Sequence, residues 1–402
     1  MNILQICNKF PYPPKDGGVI AAFSMLKGFY MTGHDVTVLS VNTSRHYTHI
    51  NDLPFEVSQM AEYYDVYKKT DISFWGILGN FLFSTKPYTA SRFMFGRFKK
   101  KLHTILSSGT FDVIQIEGLY MCAYIPFIRK YSDAQIVYRA HNVEYEIWDR
   151  LWRETKNPIK KWYLKQVARR VEKFERHHIN TYDIIVPITQ RDADTYYKMG
   201  NVKPSYVAPT GVFVDELSVE KKQEVSSLFH IGGLDWAPNQ QGLVWFLQEC
   251  WPQIYARHPH VRFSIAGRNA PDWLIKEFSV PGVDFVGEVD DAKKYMAQHD
   301  IMIVPLLAGS GMRIKIIEGM AYGKAIFSTA IGAEGIPAKS GSEIVIVESA
   351  DQCVSQIDYL VENPEKVYAI AKNARTFVQQ KFDNYSIIQG LVDFYFRYVF
   401  RD

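Results

Sequence analysis

Cysteine is scarce in this 402-residue sequence: Cys7, Cys122, Cys250 and Cys353 lie far apart. None has the close pairing that zinc and redox motifs need, and their apolar neighbours read as buried thiols without a functional part. Long apolar runs are missing too. No stretch approaches the roughly 18 residues that span a bilayer, and residues 1–7 lack a basic segment followed by a longer apolar one, so a cytoplasmic protein is expected. Repeats of short period and low-complexity tracts are absent. His177 and His178 are adjacent and lack the i, i+4 spacing of a helical metal pair, so no metal site is expected there. No residue trio suggests a hydrolase. Neither half shows a Gly-x-Gly-x-x-Gly turn between its first strand and helix, which argues against a dinucleotide dehydrogenase.

With 47% hydrophobic and 22% charged residues the composition is that of a globular protein, and the length suggests two domains. Charge is uneven. Residues 1–200 hold 27 Lys and Arg against 19 Asp and Glu, giving +8, whereas residues 201–402 hold 19 against 24, giving −5. A basic half fits a nucleic acid, an anionic membrane surface or an anionic substrate, and charge alone does not choose.

Short apolar runs alternate with longer helical patterns. In the first half, residues 3–6, 36–41, 113–116, 136–138 and 184–188 read as buried parallel strands. A second series follows at 227–231, 262–266, 283–286, 301–305, 325–328 and 344–347. Each series implies a doubly wound α/β domain. The expected divisions are a Rossmann-like domain over 1–208, a linker over 209–225, a second Rossmann-like domain over 226–383, and a helix over 384–402. That last segment, aromatic and apolar at helical spacing, needs a large surface, and packing back on the first domain provides one. Two such domains facing a cleft would place ligands on loops that follow strands.

The segment with most chemistry is 305–323. A strand ends at Pro305, a glycine-rich turn of Gly309, Ser310 and Gly311 follows, then Met312, and a helix opens near Arg313. Helix-terminal N–H groups and the positive dipole end suit an anion there. Arg313 and Lys315 add cations suited to a diphosphate, and Glu318, about a turn further on, suits ribose hydroxyls.

The pattern Gly309-x-Gly311-x-Arg313-x-Lys315-x-x-Glu318-x-Met320-Ala321-x-Gly323 resembles the donor segment of family-four retaining glycosyltransferases, of the kind that build bacterial polysaccharides. Further pieces fall in the family's order along nearly the whole chain. They are Gly17 and Gly18, the run Arg139-Ala140-His141-Asn142-x-Glu144, Pro209 to Val212, Gly232 to Asn239, Ala266-Gly267-Arg268 and Phe285-Val286-Gly287. The resemblance implies a GT-B fold, a hexosyltransferase-type enzyme, no metal or other cofactor, and a UDP- or GDP-sugar donor transferred with retention. It also implies that Gly267, Arg268 and Gly287 lie along the donor, that His141 positions the sugar, and that the acceptor is a glycan or lipid-linked glycan rather than a nucleic acid. A nucleotide-sugar epimerase of the same fold and a non-catalytic sugar-nucleotide-binding subunit are the alternatives.

Two departures stand out. Many members carry a second Glu where this chain has Ser310, and many carry an Arg and a Lys after the first strand of the second domain, where residues 233–239 hold no cation. Arg313 and Lys315 are the expected replacements. In the first domain, Gly17 and Gly18 would let backbone N–H groups approach a ligand, and Glu117 and Glu144 are further candidates near His141 that would otherwise cap or pair. Finally, residues 74–83 are nearly all apolar, and Phe93, Phe95 and Phe98 are mixed with Arg97 and Lys99 to Lys101. Such segments are expected to seat the protein on the inner face of an anionic membrane.

Overall fold

The apolar runs assemble into two parallel six-stranded sheets with helices around them. The computed structural model describes residues 1–44, 46–71, 73–213, 223–309 and 311–400. The chain divides into one unit of Met1–Thr210 with Asn384–Asp402, and a second of Gly211–Asp383. Of the expected linker, residues 214–222 lie outside the described residues.

In the first unit the strands are β1 (Asn2–Cys7), β2 (Asp35–Thr43), β3 (Glu62–Lys68), β4 (Val113–Glu117), β5 (Gln135–Ala140) and β6 (Ile184–Pro187). Their order is β3-β2-β1-β4-β5-β6, every pair parallel. β3 is absent from the strands read off the sequence. As an edge strand it buries none of its residues, so it carries no apolar run to notice. The helices that matter for the site are α1 (Gly17–Met31), α2 (Phe74–Phe83), α3 (Glu144–Glu154) and α4 (Pro158–His178).

The central strands alternate with period two. Leu4, Ile6, Ile114, Ile116, Ile136 and Tyr138 pack on one side, and Ile3, Val38, Val113 and Val137 meet Met25, Leu26 and Phe29 of α1 on the other. This second face turns polar toward the C-terminal ends of the strands. Gln5, Gln115, Glu117 and Arg139 are all buried there.

The second unit comprises β7 (Ser227–Ile231), β8 (Arg262–Ala266), β9 (Val283–Gly287), β10 (Ile301–Val304), β11 (Ala325–Thr329) and β12 (Val345–Val347), in the order β12-β11-β10-β7-β8-β9. Helix α5 (Ala237–Trp245) follows β7, and α6 (Ile314–Ala321) follows β10. The chain's last helix, α7 (Asn384–Val399), packs on α1 of the first unit through Ile388, Leu391, Val392 and Tyr395. Gly28 makes this approach feasible, since a Cβ there would lie 2.3 Å from Ile388.

In both sheets the chain winds outward in two directions from its first strand. The switch points therefore fall between β1 and β4 and between β7 and β10, the places where open α/β sheets receive ligands. One expectation is corrected: Phe93 and Phe98, read as a membrane-facing set, belong to the first unit's core. No helix among the described residues is long and apolar enough to cross a membrane.

Candidate active site

At the switch point of the second unit, the connection from β10 to α6 carries the predicted donor segment. Gly309 and Gly311 both adopt positive φ, +122° and +83°, which a side chain would oppose. Ser310 lies outside the described residues. Met312 packs on the core below, and Arg313 stands at the N-cap in extended conformation, so the helix opens where the sequence implied. The Arg313 guanidinium lies over the Trp236 ring at 5.3 Å and donates to the Gly311 carbonyl at 2.6 Å. The loop after β10 is thereby braced against the loop after β7.

Lys315 reaches the same neighbour by another route. Its ammonium donates to Asn239 Oδ1 at 3.0 Å and lies 3.4 Å from the Ile231 carbonyl and 3.5 Å from His230 Nε2. A Cβ on Gly232 would stand only 3.1 Å from Lys315 Nζ. Thus the cation that residues 233–239 lack is delivered to that loop from α6. Burial, and then the charge of Arg313, lower the Lys315 ammonium to about 7. His230 is fully buried and bonded through Nδ1 to the Ile303 carbonyl at 2.8 Å, which turns the Nε2 lone pair toward Lys315. Burial first and Lys315 second hold its imidazole well below the ordinary range, so it remains neutral behind the ammonium. Asn239 completes the arrangement by donating to the Gly233 carbonyl at 2.8 Å.

Glu318 lies three residues after Lys315 on α6, half-buried, and burial alone pushes its carboxyl up to about 7. The remaining predicted donor residues extend across the sheet. Gly267 donates to the Gly287 carbonyl at 2.7 Å, and a Cβ on Gly267 would fall 2.1 Å from the Gly232 carbonyl oxygen. Close packing of the β7 and β8 ends therefore already requires that glycine. Gly287 has a φ of +80° and open space beside it, and the Arg268 carbonyl accepts from Leu234 N at 2.9 Å.

At the switch point of the first unit, Gly17 and Gly18 open α1, with Asp16 as N-cap accepting from Val19 N at 3.1 Å. Here packing does not demand glycine. A Cβ on Gly17 meets nothing within 4 Å, and one on Gly18 meets only Asp16 and His141 Nδ1 at ordinary contact distances. His141 follows β5, and its Nε2 lies 2.6 Å from Glu117 Oε2 at the end of β4. The other carboxylate oxygen accepts from Gln5 Nε2 at 2.8 Å and Gln115 Nε2 at 2.6 Å. Burial pushes the Glu117 carboxyl up, but the bond to the nearby His141 ring, the charge of Arg139 and the Gln5 bond outweigh it and leave the group below its ordinary value.

The segment after His141 is held from beneath. Glu175 of α4 accepts from the backbone N–H groups of Glu144 and Tyr145 at 3.1 and 2.9 Å, so it caps α3, and Tyr196 contacts both Glu175 and the Asn142 carbonyl. Glu144 accepts from Tyr120 at 2.9 Å, and burial raises its carboxyl. Motif reading included Trp236 and Asn239 in the segment from Gly232 without giving either a role, and it missed His230 and the supports of Glu117. A signal did exist for the last: Gln5, Gln115, Glu117 and Arg139 interrupt strands that should be apolar throughout.

Residues 226–363 match the family described as Glycosyl transferases group 1. An uncharacterised 44.6 kDa protein from the cps region of Klebsiella pneumoniae is 22% identical over 408 residues, spanning 97% of this chain and 98% of that protein. Anabaena HepE, solved with UDP, is similar with a TM-score of 0.67 at 14% identity, over 98% of this chain and 99% of that one. HepE has also been solved with UDP-glucose. WaaG, a glycosyltransferase involved in lipopolysaccharide biosynthesis, is similar with a TM-score of 0.66 at 15% identity, over 97% and 99% of the two chains. The two parallel six-stranded sheets have the GT-B fold of these structures, and the second unit carries a group 1 glycosyltransferase domain. The fold so defined is GT-B, with the match to group 1 glycosyl transferases confined to residues 226–363.

Proposed function

We propose that the protein transfers a hexosyl group from a UDP- or GDP-sugar to a hydroxyl of a growing cell-surface glycan, with retention and without a metal. The observation that carries this reading is the meeting of Lys315 and Arg313 with the N-terminus of α6 at the switch point of the second unit. Departure of a nucleoside diphosphate builds negative charge on phosphate oxygens, and preorganised cations and N–H groups stabilise that charge. Glu318, beside them on the same helix, is the ribose ligand. The UDP and UDP-glucose complexes of HepE support such a donor, and the cps-region relative supports a polysaccharide acceptor. The resemblance of the donor segment supports retention.

In the first unit, the open space over Gly17 and Gly18 and the His141 ring beside it support contact with a sugar. The apolar sequence of α2, joined at Phe81 to Trp162 and Arg170 of the Lys- and Arg-rich α4, supports docking on an anionic membrane that presents the acceptor. Calorimetric titration of UDP and GDP into Arg313→Ala, Lys315→Ala and Glu318→Ala tests the donor assignment. Each lost charge-assisted contact should weaken nucleotide binding by about 1.5–3 kcal/mol. Wild-type affinity in all three folded variants would place the donor elsewhere.

A further inference from the structure

The interior of a central parallel strand is normally apolar, because both faces are covered. In the first unit, three adjacent strands break this rule on one face. Gln5 of β1 and Gln115 of β4 are paired in register, as are Glu117 of β4 and Arg139 of β5, and all four are at most 1% exposed. Desolvating so many polar groups is unfavourable unless they are satisfied. Among the described residues Gln5 Oε1 and Arg139 Nε and Nη2 have no partner, while Gln115 and Glu117 are bonded at both polar atoms. The bonds of such a network fix orientations rather than adding stability. Its supports come from several elements. Gln5 also donates to the Ala22 carbonyl of α1, Tyr395 of α7 donates to Gln115 Oε1, and Arg139 donates to the Ala208 carbonyl.

The network ends at His141, whose side chain is 15% exposed. Both amide donors converge on Glu117 Oε1, which leaves Oε2 for the ring alone. A carboxylate only accepts, so Nε2 must carry a proton. Arg139, fully buried and paired in register with Glu117, supplies a cation on the same face of the sheet. A neutral ring so bonded carries its one proton on Nε2, and its Nδ1, the ring atom beside Gly18, then presents a lone pair.

We propose that Glu117 is a positioning residue. It fixes the Nε2–H tautomer of His141, so that Nδ1 accepts a hydrogen bond at the N-terminus of α1 and selects a ligand group that donates one. That group is a sugar hydroxyl. A carboxylate at the same position of the sugar, as in a uronic acid, meets a lone pair and is rejected. This inference rests on the reading that His141 touches a sugar.

Glu117→Gln tests it, because the substitution keeps the shape and reverses one bond. Gln5 and Gln115 hold the new amide oxygen on their side, which turns the amide NH2 toward Nε2. The ring must then move its proton to Nδ1 and present a donor. Nitrogen-15 NMR of the histidines, with His141 assigned by its absence in His141→Ala, should show Nε2–H in the wild type and Nδ1–H in Glu117→Gln. Turnover of the donor sugar should fall about 10–100-fold, the range for residues that orient a site ligand, while UDP or GDP affinity and melting temperature stay at wild-type values. A wild-type ring protonated on Nδ1, or on both nitrogens at neutral pH, overturns the proposal, and so does undiminished turnover in folded Glu117→Gln. If that variant does not fold, the wild-type tautomer still decides. Unchanged turnover in His141→Ala would instead overturn the underlying reading of His141, so the two failures are separable.

Discussion

Lys315 shows what a residue's place in sequence leaves out. Its spacing from Arg313 marks a cationic helix start, and that much was legible. That its ammonium turns to Asn239 and the end of β7 depends on the pairing of β7 with β10, strands about 70 residues apart. The same is true of His230, an unremarkable strand histidine until its partner arrives. Lowered from its ordinary value to about 7, Lys315 binds fewer protons in the folded chain than in the unfolded chain between about pH 7 and its normal range. Its contribution to stability therefore rises with pH through that window and is lost as pH falls through about 7. A bound diphosphate favours the charged form and raises the group again. At pH 8 the nucleotide should thus bind with uptake of about one proton, measured by calorimetry in buffers of different ionisation heat. Lys315→Met should abolish most of that uptake. Equal uptake by both proteins would remove Lys315 from the diphosphate site.

At the scale of elements, β7, β8, β10 and β11 of the second unit followed from apolar runs because buried strands of a parallel sheet must be apolar, and the edge strand β9 was legible through Val283, Phe285 and Val286. β3 escaped notice for the opposite reason, since an edge strand half open to water needs no such run. The roles of individual glycines were less legible, because what decides them is the neighbour across the sheet. A Cβ on Gly242 would fall 2.1 Å from the Pro305 carbonyl oxygen, a backbone atom that cannot swing aside. Helix α5 therefore sits on the end of β10 only while residue 242 is glycine, and this contact sets the height of Trp236 and Asn239 at the site. Gly242→Ala should lower stability by about 1–3 kcal/mol through overpacking and weaken nucleotide binding as Asn239 is displaced from Lys315. Gly17→Ala, in open space, should leave the melting temperature unlowered. Denaturant unfolding of both variants is the check, and equal stabilities would show that α5 adjusts without strain.

At the scale of the molecule, the charge asymmetry read from the sequence acquires a location. Helix α2 is composed almost wholly of apolar residues, and its described side chains Ile77 and Phe81 are only partly buried. Phe83 is 90% exposed, and Ile159 and Trp162, one turn apart on α4, are 80% and 56% exposed. The two helices are joined: the Phe81 ring meets Trp162 at 5.7 Å, and Arg170 donates to the carbonyls of Asn80 and Phe81 at 3.3 and 2.8 Å, closing the end of α2. Over residues 158–171, α4 carries Lys160, Lys161, Lys165, Arg169 and Arg170 and no acid. Apolar side chains that enter the headgroup boundary, ringed by cations, fit an anionic bilayer. The aromatics Phe93 and Phe98 beside Arg97 and Lys99 are drawn into the core, whereas the cationic helix that meets Phe81 of α2 lies about 80 residues further on. The protein should co-sediment with vesicles containing anionic lipid at low salt and remain in solution with neutral ones. Binding should fall about tenfold or more in Phe83→Ser with Trp162→Ser, where apolar area is lost, and in Lys160→Glu with Arg169→Glu, where charge is reversed. Raising salt toward 1 M shortens the screening length to about 3 Å and should weaken the wild type in the same way. Background sedimentation at low salt, or binding unchanged by either pair of substitutions, would exclude this face as the docking surface.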